Sequence, residues 1–519
     1  MKTVFKTAMI VTVFSLAEKF LGFLYRIYLS RAIGNEGIGL YQIALSVFAT
    51  VLTLCSAGIP ATVSRIITKY RSQGKGYKTS KVVSAGIAVT VLTGVPLTLL
   101  LFALPNALGF AFADERCLPL FYTILPALTI NAVYGVLKGM FCGTKDFLPY
   151  SVIELIEEAV MIICGIILVQ TATTAVDGAT KAIIAVFVSY VVSFTLGTGL
   201  FIYRGGKIKS PKGELKPLFF ASLPITAMRT ASSMVASLIS ILLPLRLIAS
   251  GMSKSGATSA FGAFYGLAMP LLYAPMSLIG PFTVVLIPQI AESFYKKDFN
   301  SLKTDVEKSL NITIFLTSLA IPAFTCFGEE VGIMLFDSYE GGIYTSRSAI
   351  LMMLICLSSL TTSVLNSIGQ ENKTFLTFTL SNIFMLVSIW FLPKYLGIYA
   401  LLVGYVCVYG VDTLLNLRLI RKKTGVRLKV GGFAFYSVLF TVPTCVLGFL
   451  LKNLLISTTG LFLTTVIGSV VTVGFNFAFF IVFGLIDYKE VLNKLPFKKK
   501  KERTPHPPQV VPLLPLEKA

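Results

Sequence analysis

Histidine is nearly missing from this chain. The single copy, His506, lies in the last polar stretch, and the eight cysteines are scattered without a CxxC pair. A structural zinc site of the Cys/His kind is therefore excluded. No glycine-rich nucleotide loop and no metal-ligand cluster is present, so no catalytic constellation is encoded and an enzyme is not expected. Charge is scarce too, at 13% of 519 residues, about half the share in an average soluble chain. Acids are fewer than bases, 24 against 45, which leaves a net charge of +21. Such an excess would suit nucleic acid, but here the bases sit in short loops between apolar runs, where they orient a membrane protein. Nucleic acid is not an expected partner.

What the chain does have is long apolar runs. Windows cut at polar and Gly/Pro clusters give fourteen spans near 7–30, 38–65, 81–105, 117–141, 147–170, 178–203, 217–249, 258–292, 308–336, 344–369, 373–396, 397–420, 431–452 and 460–486. Each is long enough for a bilayer that needs about 20 residues. Lys2 and Lys6 precede the first span without a small-residue cleavage site, so a retained helix is expected. Bases crowd the even loops, as in Lys69–Lys81, Arg204–Lys216, Lys296–Lys308 and Arg418–Lys429, and are sparse in the odd ones. The expectation is a multi-pass protein of the plasma membrane with both termini in the cytoplasm.

One register recurs along the chain. A shift of 228 takes Ile59-Pro60 to Ile287-Pro288, Lys69 to Lys297, Val136-Leu137 to Val364-Leu365 and Phe147 to Phe375. A shift across six spans keeps the inside-outside sense, which predicts two parallel repeats about an axis along the membrane normal. The predicted architecture is all-α: a six-helix lobe over 1–210, a second over 211–430, and two additional helices over 431–488. Residues 489–519 read as a basic, proline-rich, disordered cytosolic tail.

Charges inside the apolar spans are the residues that carry information, because each costs several kcal/mol unless a polar cavity or partner receives it. Arg26 in the first span reads as a ligand for an anion or as a snorkelling anchor. Arg65 reads as part ligand, part topology anchor. Arg229 lies about 18 Å into the seventh span and Glu18 at a similar depth in the first. The two are expected to pair, or Arg229 to serve a substrate. A ladder of arginines suits phosphate oxygens. Glu154, Glu157 and Glu158 fall at i, i+3 and i+4 on one helix face, as a proton or cation site or as partners of Lys138 and Lys145. Asp412 is the other deep acid and, like Asn382, a further candidate for a coupling ion, with Asn416 one turn on. Prolines crowd the seventh and eighth spans and should kink them toward a cavity.

The stretch LGFLYRIYLSRAIGNEGIGLYQ followed by AGIPATVSR resembles the opening of the stage V sporulation protein B family, within the superfamily of polysaccharide exporters, lipid II flippases and multidrug exporters. Similar segments recur at GMFCGTKDFLPY, VVLIPQIAESFYKKDF and SVLNSIGQENKTF. The resemblance implies two lobes around a cationic cavity that flips an undecaprenyl-pyrophosphate-linked sugar by alternating access. The cargo would be a peptidoglycan precursor such as lipid II or another polysaccharide intermediate, in spore-cortex or cell-wall synthesis. The family's arginines map to Arg26 and Arg65. Its eighth-helix arginine has no counterpart near Gly262–Leu267, where Tyr265 stands instead, and its sodium site has no acid in the seventh span and only Asn382 in the eleventh. Coupling to Na+, to H+ or to the membrane potential stays open. A monomer is expected, with membrane lipid around it and other cell-wall synthesis proteins as candidate partners. A cation-coupled multidrug exporter of the related fold is the alternative.

Overall fold

A computed structural model describes residues 2–56, 58–103 and 112–484. The tail over 489–519 lies outside the described residues, and among those described every regular element is helical. Among the described residues nine helical spans are long and apolar enough to cross a bilayer, or up to eleven when two bent pairs each count as one crossing. The chain is thus a multi-pass membrane protein. Helices are the expected solution, since lipid offers no partner to an unpaired backbone group.

The elements in chain order are α1 (Lys2–Ser56), α2 (Ile59–Ser72), α3 (Thr79–Ala103), α4 (Cys117–Ile124), α5 (Ala127–Gly143), α6 (Phe147–Val169), α7 (Ala175–Tyr203) and α8 (Leu215–Ala249). There follow α9 (Lys254–Phe261), a π-helical turn (Gly262–Ala268), α10 (Met269–Leu272), α11 (Met276–Tyr295) and α12 (Phe299–Phe336). The last are α13 (Tyr339–Ser348), α14 (Leu351–Ser367), α15 (Glu371–Phe391), α16 (Pro393–Leu396), α17 (Ala400–Thr424) and α18 (Gly431–Val482).

Two of these are double. Gly34 breaks α1 with φ 67° and Gly460 breaks α18 with φ 75°, backbone angles that only glycine adopts at little cost. The gap between the spans expected near 7–30 and 38–65 is therefore a turn at Gly34, and it folds α1 into two arms. The prolines of α8, Pro224 and Pro244, lie inside a continuous helix, whereas the proline-bearing segment after it is broken into four pieces. The 228-residue register does not preserve local setting. Pro60 stands in the first turn of α2, while Pro288 lies deep inside α11.

Packing of the second arm of α1 uses small and hydroxylic residues. A Cβ on Gly39 would lie 2.1 Å from the Thr258 carbonyl oxygen, and one on Gly262 would lie 2.1 Å from that of Asn35. The two backbones meet there as closely as helices can. Farther along, Thr50 Oγ1 and Ser237 Oγ are 2.6 Å apart, Ser237 Oγ donates to the Ser46 carbonyl at 2.7 Å, and Ser46 and Ser240 share a hydroxyl bond. Ser46 and Ser240 also reach carbonyls of their own helices, those of Ile43 and Ser237, at 2.9 Å. At the far end of the first arm, Arg31 donates Nε to the Leu335 carbonyl at 3.0 Å and a second N–H to that of Met334, capping the last turn of α12. Helices α12 and α18 are tied by Lys452, 2.5 Å from Glu330 and 3.4 Å from Glu329.

The glycine crossing gives a direct test. Gly39→Leu should overpack the crossing of α1 on the π-helical turn and destabilise the protein by about 1–3 kcal/mol or more. Gly199→Ala on α7, whose new methyl would meet nothing within 4 Å, should cost less. Thermal unfolding of both variants in detergent, followed by size-exclusion chromatography, checks the order.

Candidate functional site: an arginine-lined cavity

The first arm of α1 is held against α6 by interlocking shapes. Tyr25 fills the space a side chain would need at Gly165, and Tyr28 Oη donates to the Ile166 carbonyl at 3.1 Å. Glu158 Oε1 lies where a Cβ on Gly22 would be, at 2.7 Å. This leaves one side of the arm uncovered, and between it, α6 and α10 opens a cavity of about 760 Å³. That is within the usual range for small-molecule and cofactor sites. Leu16, Phe20, Leu29 and Met161 give it apolar walls, while Glu18, Lys19, Arg26, Tyr41, Glu158 and Tyr273 bring polar atoms.

Arg26 is the centre of this arrangement. Its Nη1 donates to the Gly266 carbonyl at 2.8 Å, across 240 residues of sequence. That carbonyl belongs to the π-helical turn, and four residues on stands Pro270, which has no N–H to give it. The irregular turn thus offers an acceptor and the guanidinium takes it. The titratable groups nearest in charge are the phenols of Tyr41 and Tyr265, not a carboxylate. Tyr265 itself stacks on Phe261 at 5.2 Å. With one N–H engaged, the other donors of Arg26 remain for whatever enters the cavity.

The structure assembles the expected residues only in part. Glu18 joins Arg26 in the cavity, and its charged neighbours are Glu154, Lys138 and Lys19. Arg229 lines a different cavity of about 410 Å³ with Thr53, Ser232, Ser233 and Phe375, so the expected Glu18–Arg229 pair is not formed. Position along a helix sets how deep each residue lies, but not which side of the bundle it faces. Arg65 stands exposed on α2 and lines neither cavity. The three glutamates of α6 diverge: Glu154 pairs with Lys138, Glu157 lies beside Ser193, and Glu158 faces the cavity. Asn382 donates to the Phe378 carbonyl of its own helix at 2.8 Å. Asp412 is buried among hydroxyls of α14, away from the cavity.

One cluster escaped sequence reasoning. Arg116 bonds Asp114 through Nε at 2.9 Å and Nη2 at 2.7 Å, and reaches Glu36 at 2.7 Å. Thr258 Oγ1 donates to the same Asp114 at 3.1 Å. These bonds join the loop before α4 to the turn of α1 and to α9, beside the Gly39–Gly262 crossing. The signal was the run Asp114-Glu115-Arg116, with Glu36 and Thr258 far off in sequence. Burial alone would raise the Asp114 carboxyl, but hydrogen bonds from the Arg116 side chain and backbone, its charge and the Thr258 hydroxyl hold it below its usual range.

Residues 4–294 match the polysaccharide biosynthesis protein family. The chain is 22% identical to stage V sporulation protein B of Bacillus subtilis (strain 168), over 83% of its own length and 86% of the relative's. It is 21% identical to the lipid II flippase MurJ of the same organism, over 85% and 87%. In fold it is similar to a lipid II flippase MurJ in an inward closed conformation, with TM-score 0.71, 13% identity and coverage of 93% of this chain and 100% of that one. An inward-facing multidrug resistance MATE family transporter of the MOP superfamily gives TM-score 0.66 at 15% identity, over 79% and 94%. The resemblance to the stage V sporulation protein B family, read from the opening stretch, is borne out.

The Arg116 cluster yields a pH prediction. A carboxyl held low in the folded state contributes stability that is complete above its unfolded pKa of about 3.9 and is lost as pH falls through the lower folded value. Asp114→Asn should remove that acid-side dependence. Arg116→Ala should leave the carboxylate, 2% exposed, short of donors and cost about 1–3 kcal/mol or more. Melting curves between pH 3 and 6 test both.

Proposed function

Because this chain belongs to the polysaccharide biosynthesis protein family, we propose that it carries an undecaprenyl-pyrophosphate-linked sugar from the inner to the outer leaflet by alternating access. The cargo is a peptidoglycan precursor such as lipid II, or another polysaccharide intermediate, and it crosses without chemical change. The observation that carries this reading is Arg26: a guanidinium in a cavity of mixed apolar and polar lining, anchored by one bond to Gly266, with donors left over. A planar fork of donors suits the two-point contact a pyrophosphate offers. The apolar wall of the cavity suits the start of a lipid tail, and Tyr41 and Tyr273 bring rings and hydroxyls for a sugar. Relatives named for lipid II flipping and for sporulation support the same class of cargo.

We read the chain as fourteen crossings in two six-helix lobes, 1–210 and 211–430, with two added helices, and with both termini cytoplasmic. Helix α6, long enough to cross but bearing three glutamates, and the broken segment 254–295 are counted as crossings in this reading. A second reading, a cation-coupled multidrug exporter, is favoured by one observation. Glu18 and Glu158 share the cavity and would attract a cationic drug.

Two experiments follow. Single cysteines at Lys75 and at Glu340 should label from opposite sides of intact cells; labelling from one side removes the fourteen-crossing topology. In proteoliposomes with matched protein, Arg26→Ala should slow flipping of a fluorescent lipid-linked precursor more than about tenfold, which is about 1.4 kcal/mol of barrier. Arg26→Lys, which keeps the charge but loses the fork, should retain part of the rate. Full flipping by Arg26→Ala, or efflux of cationic dyes that is lost in Glu158→Gln, would favour the exporter instead.

A further inference from the structure

Glu18, Gly22 and Arg26 follow one another at intervals of four on the first arm of α1, so they share one face, and all three border the cavity. Along the arm Gly22 stands about 6 Å from Arg26 and Glu18 about 12 Å. Glu158 enters from α6 at the middle step, where the bare Gly22 leaves room for its Oε1. Lys138 is held by Glu154, and Lys19, which is exposed, adjoins Glu18. Among the described residues Glu158 has another acid, Glu18, as its charged neighbour, and no base. Beside Glu158 stands Tyr25, which lines the cavity at 4% exposure and whose hydroxyl has no hydrogen-bond partner among the described residues. Arg26 has phenols rather than carboxylates as its near neighbours. The cavity thus holds two separate poles that do not neutralise each other, each costly in a membrane interior until something charged meets it.

We infer that Glu158 and Glu18, with the Tyr25 hydroxyl, form an ammonium subsite one to two helical turns from Arg26, and that the head group carried here bears a free amine as well as its pyrophosphate. The inference rests on the lipid-linked cargo proposed above and narrows its class. An alkylammonium offers three donors and no acceptor, and two carboxylates and an unpaired phenol oxygen are acceptors to match. The opposite poles make the stronger argument. A plain cation entering the cavity would leave the guanidinium unmet, and a plain anion would leave Glu158 unmet. A head group with phosphate at one end and ammonium about 6–12 Å away meets both, so each pole selects against molecules that carry the other charge alone.

The probes are an undecaprenyl-pyrophosphate-linked muramoyl pentapeptide with a free lysine amine and the same lipid with that amine acetylated, both radiolabelled in the sugar. Purified full-length protein in detergent should bind the free-amine form about tenfold more tightly. A dimethylated amine, bulkier but still charged, should bind more like the free amine than like the acetylated form. Glu158→Gln should bind both forms alike. Gly22→Ala, whose methyl would push the Glu158 carboxylate aside, should shrink the preference, and it decides alone if Glu158→Gln fails to fold. Arg26→Ala should weaken both forms by one factor and keep their ratio, while Glu292→Gln, an exposed carboxylate elsewhere, should change neither. Equal wild-type binding of the two forms, with both weakened by Arg26→Ala, overturns the ammonium subsite and leaves the lipid-linked cargo standing. Binding of neither form overturns the cargo and the subsite with it. A preference that survives both Glu158→Gln and Gly22→Ala overturns the assignment to these residues.

Discussion

A guanidinium inside an apolar bundle has to find acceptors, and the way Arg26 finds one sets the geometry around it. The acceptor is a backbone carbonyl, which cannot move away or change protonation, and it is available because a π-helical turn and Pro270 interrupt the regular ladder. That irregular turn lies against α1 because Gly39 and Gly262 have no side chains to hold the backbones apart. Remove the close crossing and the carbonyl retreats from the arginine. The charge at the cavity therefore depends on two glycines that never touch its contents.

The fold was largely readable because its signals are local. Apolar length locates crossings, and RAIGNEGIG and the Gly460 region locate breaks that positive φ angles require. The site was readable in kind but not in arrangement. Depth along a helix follows from counting residues, and that count puts Glu18 and Arg229 near one level. Azimuth depends on which neighbour a helix packs against, and α8 turns Arg229 toward Phe375 and Thr53. Glu154, Glu157 and Glu158 illustrate the same limit: spacing put them on one broad face, but three neighbouring helices divide that face. The Arg116 cluster was out of reach because its members are brought together from positions 36, 114, 116 and 258 by the crossing itself.

Buried charge is distributed unequally. Around the first arm of α1 it is dense, mixed and partly paired: Lys138 holds Glu154, Glu18 lies near that pair, and Glu18 and Glu158 line the same cavity as Arg26. Between α14, α15 and α17 it is a single acid among neutral oxygens. A mixed cluster can exchange partners with an incoming charged molecule, because each group has an alternative nearby. A solitary acid has none, and it imposes a stricter demand on what occupies its surroundings.

The hydroxyl seam between α1 and α8 has a mechanical consequence. Were it made of large interdigitated side chains, parting the helices would leave voids. Were it made of obligatory cross-links, parting would strand polar atoms in oil. Ser46 and Ser240 instead keep carbonyls of their own helices within reach at 2.9 Å. When the seam opens, the protons of Ser46 and Ser240 have an intrahelical home to return to, so this part of the interface behaves like a zip fastener that costs little to undo and closes again in register.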